Sequence, residues 1–194
     1  MTSFSKPSAV HLRSWLIVVF IYSISATVLA SFGRSLWCPA SDWAYWSFDV
    51  NSQHNSQHLV DWYTPSHISH GLLFALLFLR VLGWRLAAAF PAALALEAGW
   101  EVLENSTIVI ERYRHATLAL NYFGDSILNS LADITWCGAG FLIASCLSSR
   151  QVFLLFAVFE LLTLYLIRDN LTLNVIMLLY PVEAIKEWQL AAPL

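Results

Sequence analysis

The sequence predicts an all-α protein, a polytopic transmembrane helical bundle with about five spans and a short re-entrant or interfacial C-terminal segment. Hydrophobic residues make up 58% of the 194 residues and charged residues only 12%, which is about half the charged share of a soluble domain. Several segments with few or no charges are also long enough to cross a bilayer at about 1.5 Å of helix per residue. The formal net charge of -3 provides no basic surface, so we expect no nucleic-acid partner.

The first of the predicted spans covers residues 14–33, and it is interpreted as an uncleaved membrane anchor, although "VLA" at 28–30 could also end a signal peptide. After residue 170 comes an apolar stretch that is too short to cross a bilayer. It favours a re-entrant or interfacial segment over residues 171–189. Together these segments predict a single membrane domain over residues 1–194. The remaining predicted spans lie near residues 66–82, 86–104, 125–148 and 151–168.

The connection between the first two spans, residues 34–63, reads "RSLWCPASDWAYWSFDVNSQHNSQHLVDWY". It is too long for a turn and too hydrophobic for a flexible linker, and its tryptophans predict that it folds onto the membrane surface. Cys38 lies alone in it, and no spacing among the three cysteines resembles a zinc or redox motif. We expect this loop to contact membrane-protein partners, beside the membrane lipids themselves.

The orientation of the chain follows from its short connections. Lysines and arginines divide five and five between the two sides of the membrane, but "RVLGWR" and "SSR" are basic and contain no acid. Because basic short loops favour the cytoplasmic side, we expect the N-terminus in the cytoplasm and the loop 34–63 outside.

The motif "EAGWEVLEN" at residues 97–105 places three glutamates at the outer end of the third span. Glu97, Glu101 and Glu104 lie within about 60° of one another on a helix and therefore share one face. A carboxylate deep in a span costs on the order of 2.5–3.5 kcal/mol. We therefore expect these groups to be paired, protonated or bound to a cation, although Glu104 also fits a solvated helix end.

Two other spans bring polar residues to the same outer end. In "GDSILNSLADI", Asp125, Asn129 and Asp133 follow an i, i+4, i+8 spacing, and in "YTPSHISHG", His67 and His70 share the first turns of the second span. The sequence thus predicts an outward-facing pocket with the histidines at its rim. Asp125 fits a helix N-cap equally well, and histidines near an interface need no ligand.

Imidazole nitrogens together with carboxylate oxygens suit a divalent metal such as Zn, Mn or Fe. A bound metal would compensate the buried negative charge and could activate a water for hydrolysis. From this group Glu101, Asp133 and His70 are the candidate catalytic residues. The predicted metal ligands are His67, His70, Glu97, Glu101, Glu104, Asp125 and Asp133.

Arginines near the same end could bind phosphate oxygens through bidentate contacts. The pocket therefore predicts a metal-dependent enzyme acting on a lipid headgroup or a lipid-linked phosphate. One alternative is a protein that binds or transports a cation, a proton or a small molecule. Another is a structural accessory subunit, in which the arginines would neutralise the acids. The predicted substrate-binding residues are Arg112, Arg114, Arg168, Asn129 and Asn170.

Five motifs carry a resemblance to a known family: "SQHLVDWYTPSHISHG", "EAGWEVLENS", "ERYR", "LNYFGDSILNSLADI" and "IRDNLTLNVIMLLYP". From about residue 34 to residue 189 the chain resembles an uncharacterised bacterial inner-membrane family. More distantly, a His-bearing helix, a Glu-bearing helix and a "GD…D" helix in that order resemble the VanZ-like membrane proteins, a superfamily associated with glycopeptide-antibiotic resistance. The resemblance implies a compact multi-pass bundle in the bacterial inner membrane, and it supplies no reaction.

Overall fold

The computed structural model describes residues 9–117 and 122–191, and the described part of the chain contains helices and no strands. The all-α prediction is confirmed for these residues. A π-helical turn, Leu76–Val81, continues α2, and one isolated bridge joins Trp46 to Val60 in the loop 34–63. The helices are α1 Ala9–Ser31, α2 Thr64–Ala75, α3 Leu86–Glu104, α4 Thr107–Ala116, α5 Ile127–Cys146, α6 Ser149–Ile167, α7 Leu171–Leu179 and α8 Glu183–Leu190.

Four helices are long and apolar enough to cross a membrane, which is compatible with a membrane protein. The second predicted span, residues 66–82, is not among them, because α2 has 12 residues before its hydrogen bonding changes to the π pattern. A count of five spans is therefore not confirmed. The four candidates are Arg13–Ser31, Leu86–Glu104, Ile127–Cys146 and Ser149–Ile167.

Glycines bring α2 and α5 into close contact at the centre of the bundle. A Cβ on Gly71 would overlap the carbonyl oxygen of Cys137, and a Cβ on Gly140 would overlap the carbonyl oxygen of Ile68. Small residues let helix backbones approach closely, and packing at this distance is a main source of helix association in lipid. This close contact between the two helices places the first turns of α2, which carry His67 and His70, deep against α5.

We call the end of the bundle at which α1, α3 and α6 finish and α2 and α5 begin the polar end. Towards the opposite end, α2, α3, α5 and α6 bury their apolar faces against one another. The buried residues of this core are all apolar. The core residues are Leu72, Ala75, Phe78, Ala89, Ala93, Phe141, Ala144 and Val152.

The loop 34–63 is tied to the start of α5. Ser126, and not Asp125, is the N-cap of this helix, because its hydroxyl accepts the backbone N–H of Asn129 at 3.1 Å. The same hydroxyl donates to the Gln57 carbonyl at 3.0 Å, and Asn129 Nδ2 donates to the His58 carbonyl at 2.6 Å. The loop therefore closes over the polar end of the bundle.

The C-terminal residues predicted to be interfacial or re-entrant form two short helices that fold back against α4. Tyr113 donates its hydroxyl to Asn174 Oδ1 at 2.9 Å, and Lys186 Nζ donates to the His115 carbonyl at 2.7 Å. These contacts place α7 beside the cavity at the polar end.

Candidate metal centre

A cavity of about 130 Å³ lies at the polar end of the bundle, where α2, α3, α4, α5 and α7 meet the loop. Its lining is acidic and aromatic, and among the described residues that line it there is no lysine or arginine. The polar and aromatic lining residues are Asn55, Ser56, Asp61, Tyr63, Ser66, His67, His70, Trp100, Glu104, Tyr113, Thr117, Tyr122, Asp125, Asn129, Asp133 and Asn174.

His67 is the centre of the charged groups. Its Nδ1 lies 2.7 Å from Glu97 Oε1 and 3.4 Å from Glu101 Oε1, and its Nε2 lies 3.8 Å from Asp133 Oδ2. Both glutamates are fully buried, and His67 itself is only 8% exposed. The prediction that His67 lies at the pocket rim is therefore wrong, because the glycine contacts draw the first turns of α2 into the bundle.

The Glu97 carboxylate contacts the imidazole rings of both His67 and His70. His70 Nδ1 lies 2.9 Å from Glu97 Oε2 and 3.0 Å from Oε1, so both histidines present the same ring nitrogen to one carboxylate. A neutral ring that donates from Nδ1 keeps Nε2 free as an acceptor or metal ligand. The prediction that Glu97 is a metal ligand stays a prediction: one ligand atom from each of His67, His70 and Glu97 lies within 4.8 Å of the others, and the same contacts let Glu97 orient both histidines.

Glu101 and Asp133 carry buried oxygens that no hydrogen bond satisfies. Both Oε atoms of Glu101 and Oδ1 of Asp133 lack a hydrogen-bond partner within the described structure. An unsatisfied buried charge is costly unless it is paired or coordinates a metal. One ligand atom from each of His67, Glu101 and Asp133 lies within 4.8 Å of the others, and this nitrogen and oxygen donor set fits Zn, Mn or Fe.

Asp125 and Glu104 continue the acidic lining towards the loop, and together with Glu101 they form a further group of oxygens within 4.8 Å. Asp125, unlike Glu101, is satisfied: Asn105 Nδ2 donates to it at 2.6 Å and the Tyr122 hydroxyl at 2.8 Å. Burial raises the pKa of Asp125 to about 6, against the lowering effect of these two hydrogen bonds. Its contacts make it a hydrogen-bonded acceptor on the cavity wall.

Two of the arginines predicted to bind substrate lie against backbone carbonyls instead. Arg112 Nε donates to the Leu178 carbonyl at 2.9 Å, and Arg168 Nη1 donates to the Trp188 carbonyl at 3.0 Å. The physical reason is that the last carbonyls of a helix lack intrahelical partners and attract cations. The chain turns back after α6 and brings the ends of α7 and α8 to these side chains.

The remaining predicted substrate-binding residues divide between the cavity and its surroundings. The Arg114 guanidinium lies 4.9 Å from the centre of the Phe123 ring, outside the cavity lining. Asn170 is the N-cap of α7 and accepts the backbone N–H of Leu173 at 2.8 Å, so helix capping uses its side chain. Asn129 alone of the five lines the cavity.

Several residues that line the cavity were not predicted from the sequence, although they lie within the motifs that carry the family resemblance. Asp61 and Tyr63 belong to "SQHLVDWYTPSHISHG", Tyr113 to "ERYR" and Tyr122 to "LNYFGD". Asp61 accepts the backbone N–H groups of Tyr63 at 2.8 Å and Thr64 at 3.1 Å, and burial raises its pKa. An Asp three residues before a helical Thr-Pro pair is a recognisable signal for such a turn.

The fold and the cavity define a helical protein with spans compatible with a membrane and a buried histidine–carboxylate site. The chain belongs to the family described as protein of unknown function (DUF2585), whose profile matches residues 29–191. Membership in an uncharacterised family, predicted from the motifs, is confirmed. No solved structure matches the chain.

Similar proteins occur in several bacteria under the name UPF0314 protein. One from Rhizobium johnstonii is 48% identical over 181 residues, covering 92% of this chain and 93% of that protein. One from Brucella anthropi is 48% identical over 194 residues, with 95% of each chain covered. One from Sphingopyxis alaskensis is 45% identical over 180 residues, with 90% and 94% covered. These matches do not show the resemblance to VanZ-like proteins, which stays a prediction.

Proposed function

We propose that the protein is a membrane metalloenzyme whose cavity binds one divalent transition-metal ion through His67, Glu101 and Asp133. Its substrate is the headgroup of a lipid that reaches the polar end of the bundle. The observation that carries the proposal is the set of buried carboxylate oxygens on Glu101 and Asp133 that have no hydrogen-bond partner. Three such oxygens beside one imidazole are a cost that a cation would remove.

The residues of the chain have distinct parts in this proposal. A bound metal would supply Lewis acidity towards a carbonyl or phosphoryl oxygen and towards water. Glu97 orients both histidines through their Nδ1 atoms. The His70 side chain is 17% exposed, more than that of His67 at 10%, so it is the better placed to exchange a proton with a substrate.

The lining also narrows the class of substrate. Since no arginine or lysine lines the cavity among the described residues, the part of the headgroup inside it is neutral or cationic, such as an amine or a sugar. Tyrosine hydroxyls and the side chains of Asn129 and Asn174 offer hydrogen bonds to such a group. The proposal therefore omits the arginine clamp on a lipid-linked phosphate.

The apolar core favours binding and catalysis over transport. Leu72, Phe141 and Val152 are at most 1% exposed and fill the bundle towards the end opposite the cavity. A transport path would need polar groups through this half as well. The cavity is thus open to one side of the membrane, which we take to be the outer side.

The first test is the metal content of the detergent-purified protein, measured by elemental mass spectrometry. We expect the double variant Glu101→Gln, Asp133→Asn to lose one equivalent of metal while remaining monodisperse. These substitutions keep the shape of each side chain and remove its charge. Glu111→Gln, on an exposed face of α4, is the matched control and should keep its metal.

Two results would contradict the proposal. One is a wild-type protein with no stoichiometric metal after purification and reloading with Zn²⁺, Mn²⁺ or Fe²⁺. The other is a double variant with unchanged metal content. A metal-free protein that the double substitution stabilises would instead indicate a buried ion network in an accessory subunit, because neutral groups replace costly buried charges.

The second test concerns catalysis. We expect His70→Gln to keep the metal and to lower the release of headgroups from mixed-lipid vesicles by about 10²–10⁴-fold, the usual contribution of a general acid or base. His115→Gln, in the last turn of α4, is the control and should leave the rate unchanged. Equal rates in both variants would remove His70 from the chemistry.

A further inference from the structure

A second cluster of metal-ligating side chains lies in the loop 34–63, apart from the cavity. Cys38 Sγ lies 3.3 Å from His54 Nδ1, and Asp42 Oδ2 lies 3.6 Å from the same nitrogen and 3.5 Å from His58 Nε2. One ligand atom from each of Cys38, His54 and His58 lies within 4.8 Å of the others. The cluster joins the beginning of the loop to its end.

His58 gives the independent sign that a ligand belongs there. Its side chain is fully buried, yet neither Nδ1 nor Nε2 makes a hydrogen bond within the described structure. Buried imidazole nitrogens are normally satisfied by a donor, an acceptor or a metal. The ring is held in place by aromatic contacts, with Trp37 at 5.7 Å and His54 at 5.7 Å between ring centres.

Asp42 is also arranged to present one oxygen to the histidines. Its Oδ1 accepts the backbone N–H of Ala44 at 2.9 Å, and its carbonyl accepts from Trp37 Nε1 at 2.6 Å. Oδ2 therefore remains directed at His54 and His58. Supporting hydrogen bonds of this kind fix the orientation of a ligating carboxylate.

The sequence spacing resembles that of a structural zinc site, and three of the six distances among the four side chains are compatible with tetrahedral coordination. Three residues separate Cys38 from Asp42, eleven separate Asp42 from His54, and three separate His54 from His58. Structural zinc sites use two short ligand pairs of this kind, including H-x₃₋₅-H. With Zn–S near 2.3 Å and Zn–N near 2.0–2.1 Å, tetrahedral ligand atoms lie roughly 3.3–3.6 Å apart, which the observed 3.3, 3.5 and 3.6 Å match.

We propose that Cys38, Asp42, His54 and His58 bind a structural Zn²⁺ ion that fixes the loop 34–63 over the cavity. A loop of this length with no regular secondary structure is uncommon in a compact domain and needs a constraint. A metal that joins distant residues supplies one, because its binding free energy adds to folding. The His58 carbonyl accepts from Asn129 Nδ2 at 2.6 Å, so the ion would also position a cavity residue.

The first test uses the wild-type chain and its own cysteines. Protein treated with a chelator is labelled with a maleimide, with and without one equivalent of Zn²⁺, and labelled cysteines are identified by mass spectrometry. We expect Zn²⁺ to slow the labelling of Cys38 by at least tenfold, since a coordinated thiolate is not available as a nucleophile. Cys146, which is exposed on α5, is the internal control and should react equally in both samples.

The second test distinguishes this site from the cavity. Co²⁺ is titrated into the Glu101→Gln, Asp133→Asn background, and the thiolate-to-cobalt charge-transfer band is followed. We expect the band to saturate at one equivalent, to disappear in Cys38→Ser, and to persist in Cys146→Ser. His58→Gln should lose it as well, since the side chain keeps a polar atom but no ring nitrogen.

The zinc site proposed for the loop is independent of the function proposed for the cavity. Its two tests measure metal binding in the loop alone. Unprotected Cys38 in the presence of Zn²⁺ would overturn it without the need for any variant. A cobalt band that survives Cys38→Ser would assign the sulfur ligand to another cysteine and would overturn it too. Loss of metal in the cavity double variant alone would leave the loop site in place.

Discussion

Asp169, at the corner between α6 and α7, illustrates how single buried carboxyls set the stability of this protein. It is 3% exposed, and it accepts hydrogen bonds from the Asn170 backbone at 2.9 Å, from Gln189 Nε2 at 3.2 Å and from the Tyr63 hydroxyl at 3.4 Å. Burial raises its pKa from 3.8 to about 6, in spite of these donors. The folded protein therefore binds a proton at this site more tightly than the unfolded chain does.

The stability contributed by that proton has a definite pH dependence. It is fully present below about pH 4 and is lost as the pH rises through about 6, because the folded state binds more protons in this window. We expect Asp169→Asn, which cannot ionise, to flatten the fall of the unfolding midpoint between pH 4 and pH 7. The difference in free energy of unfolding should approach roughly 1.4 kcal/mol per pH unit.

The control for this measurement is Asp49→Asn, in the exposed part of the loop, which should reproduce the wild-type curve. An Asp169→Asn curve with the wild-type slope would contradict the expected role of Asp169. Thermal unfolding in one detergent across the pH series is sufficient for the comparison.

The positions of site residues on regular helices could be predicted from the sequence, whereas those of residues in the irregular loop 34–63 could not. Glu97, Glu101 and Asp133 lie on helices of known direction, so depth and face follow from counting residues. The metal-ligand candidates of the loop, Cys38 and His58, have no periodicity to place them, and an inspection of cysteine spacing alone passed over them. Only the folded loop brings them within reach of each other.

The contact between α2 and α5 decides whether the cavity forms. Gly71 and Gly140 leave no room for a Cβ, because the carbonyl oxygens of Cys137 and Ile68 occupy that space. We expect Gly71→Ala to lower the free energy of unfolding by about 1–3 kcal/mol, the usual cost of overpacking. Helix separation would also shift His67 and thus weaken metal binding.

Gly99 on α3 is the matched control, since a Cβ there would meet nothing within 4 Å. Gly99→Ala should be neutral or stabilise the protein by about 0.5–1 kcal/mol, because alanine loses less conformational freedom in a helix. Equal effects of the two substitutions would contradict the close α2–α5 contact. Reversible unfolding in mixed micelles provides the measurement.

Helix bounds were foreseen well where apolar runs are long. Residues 86–104 match α3, and residues 151–168 lie close to Ser149–Ile167. The second predicted span, residues 66–82, is not one of the four candidate spans, because an apolar run does not reveal a change from α to π hydrogen bonding. The hydrogen bond from Arg112 to the Leu178 carbonyl also could not be predicted from the sequence, since it depends on how α7 folds back onto α4.

The proposed function depends on which side of the membrane the polar end faces. We expect Asn51→Cys, in the loop, to react with an impermeant maleimide in intact spheroplasts, in a Cys146→Ser background. Arg150→Cys, at the start of α6, should react only after lysis. Basic residues in the two short connections favour this orientation.

The reverse labelling pattern would show that the cavity faces the cytoplasm, and substrates would then have to come from the inner leaflet. Labelling of both positions in intact spheroplasts would indicate leakage and is controlled with a cytoplasmic reference protein. The sequence alone predicted the orientation from few charges, because lysines and arginines are evenly divided.

The apolar core that closes one half of the bundle has an electrical consequence. The cavity lies at the polar end and the apolar core fills the opposite half of the bundle, so a cation that entered the cavity from water at the polar end would cross only part of the membrane potential. The full drop is worth about 2.3 kcal/mol per elementary charge per 100 mV. Binding of a cation in the cavity should therefore depend less steeply on the membrane potential than the passage of the same cation across the whole membrane would.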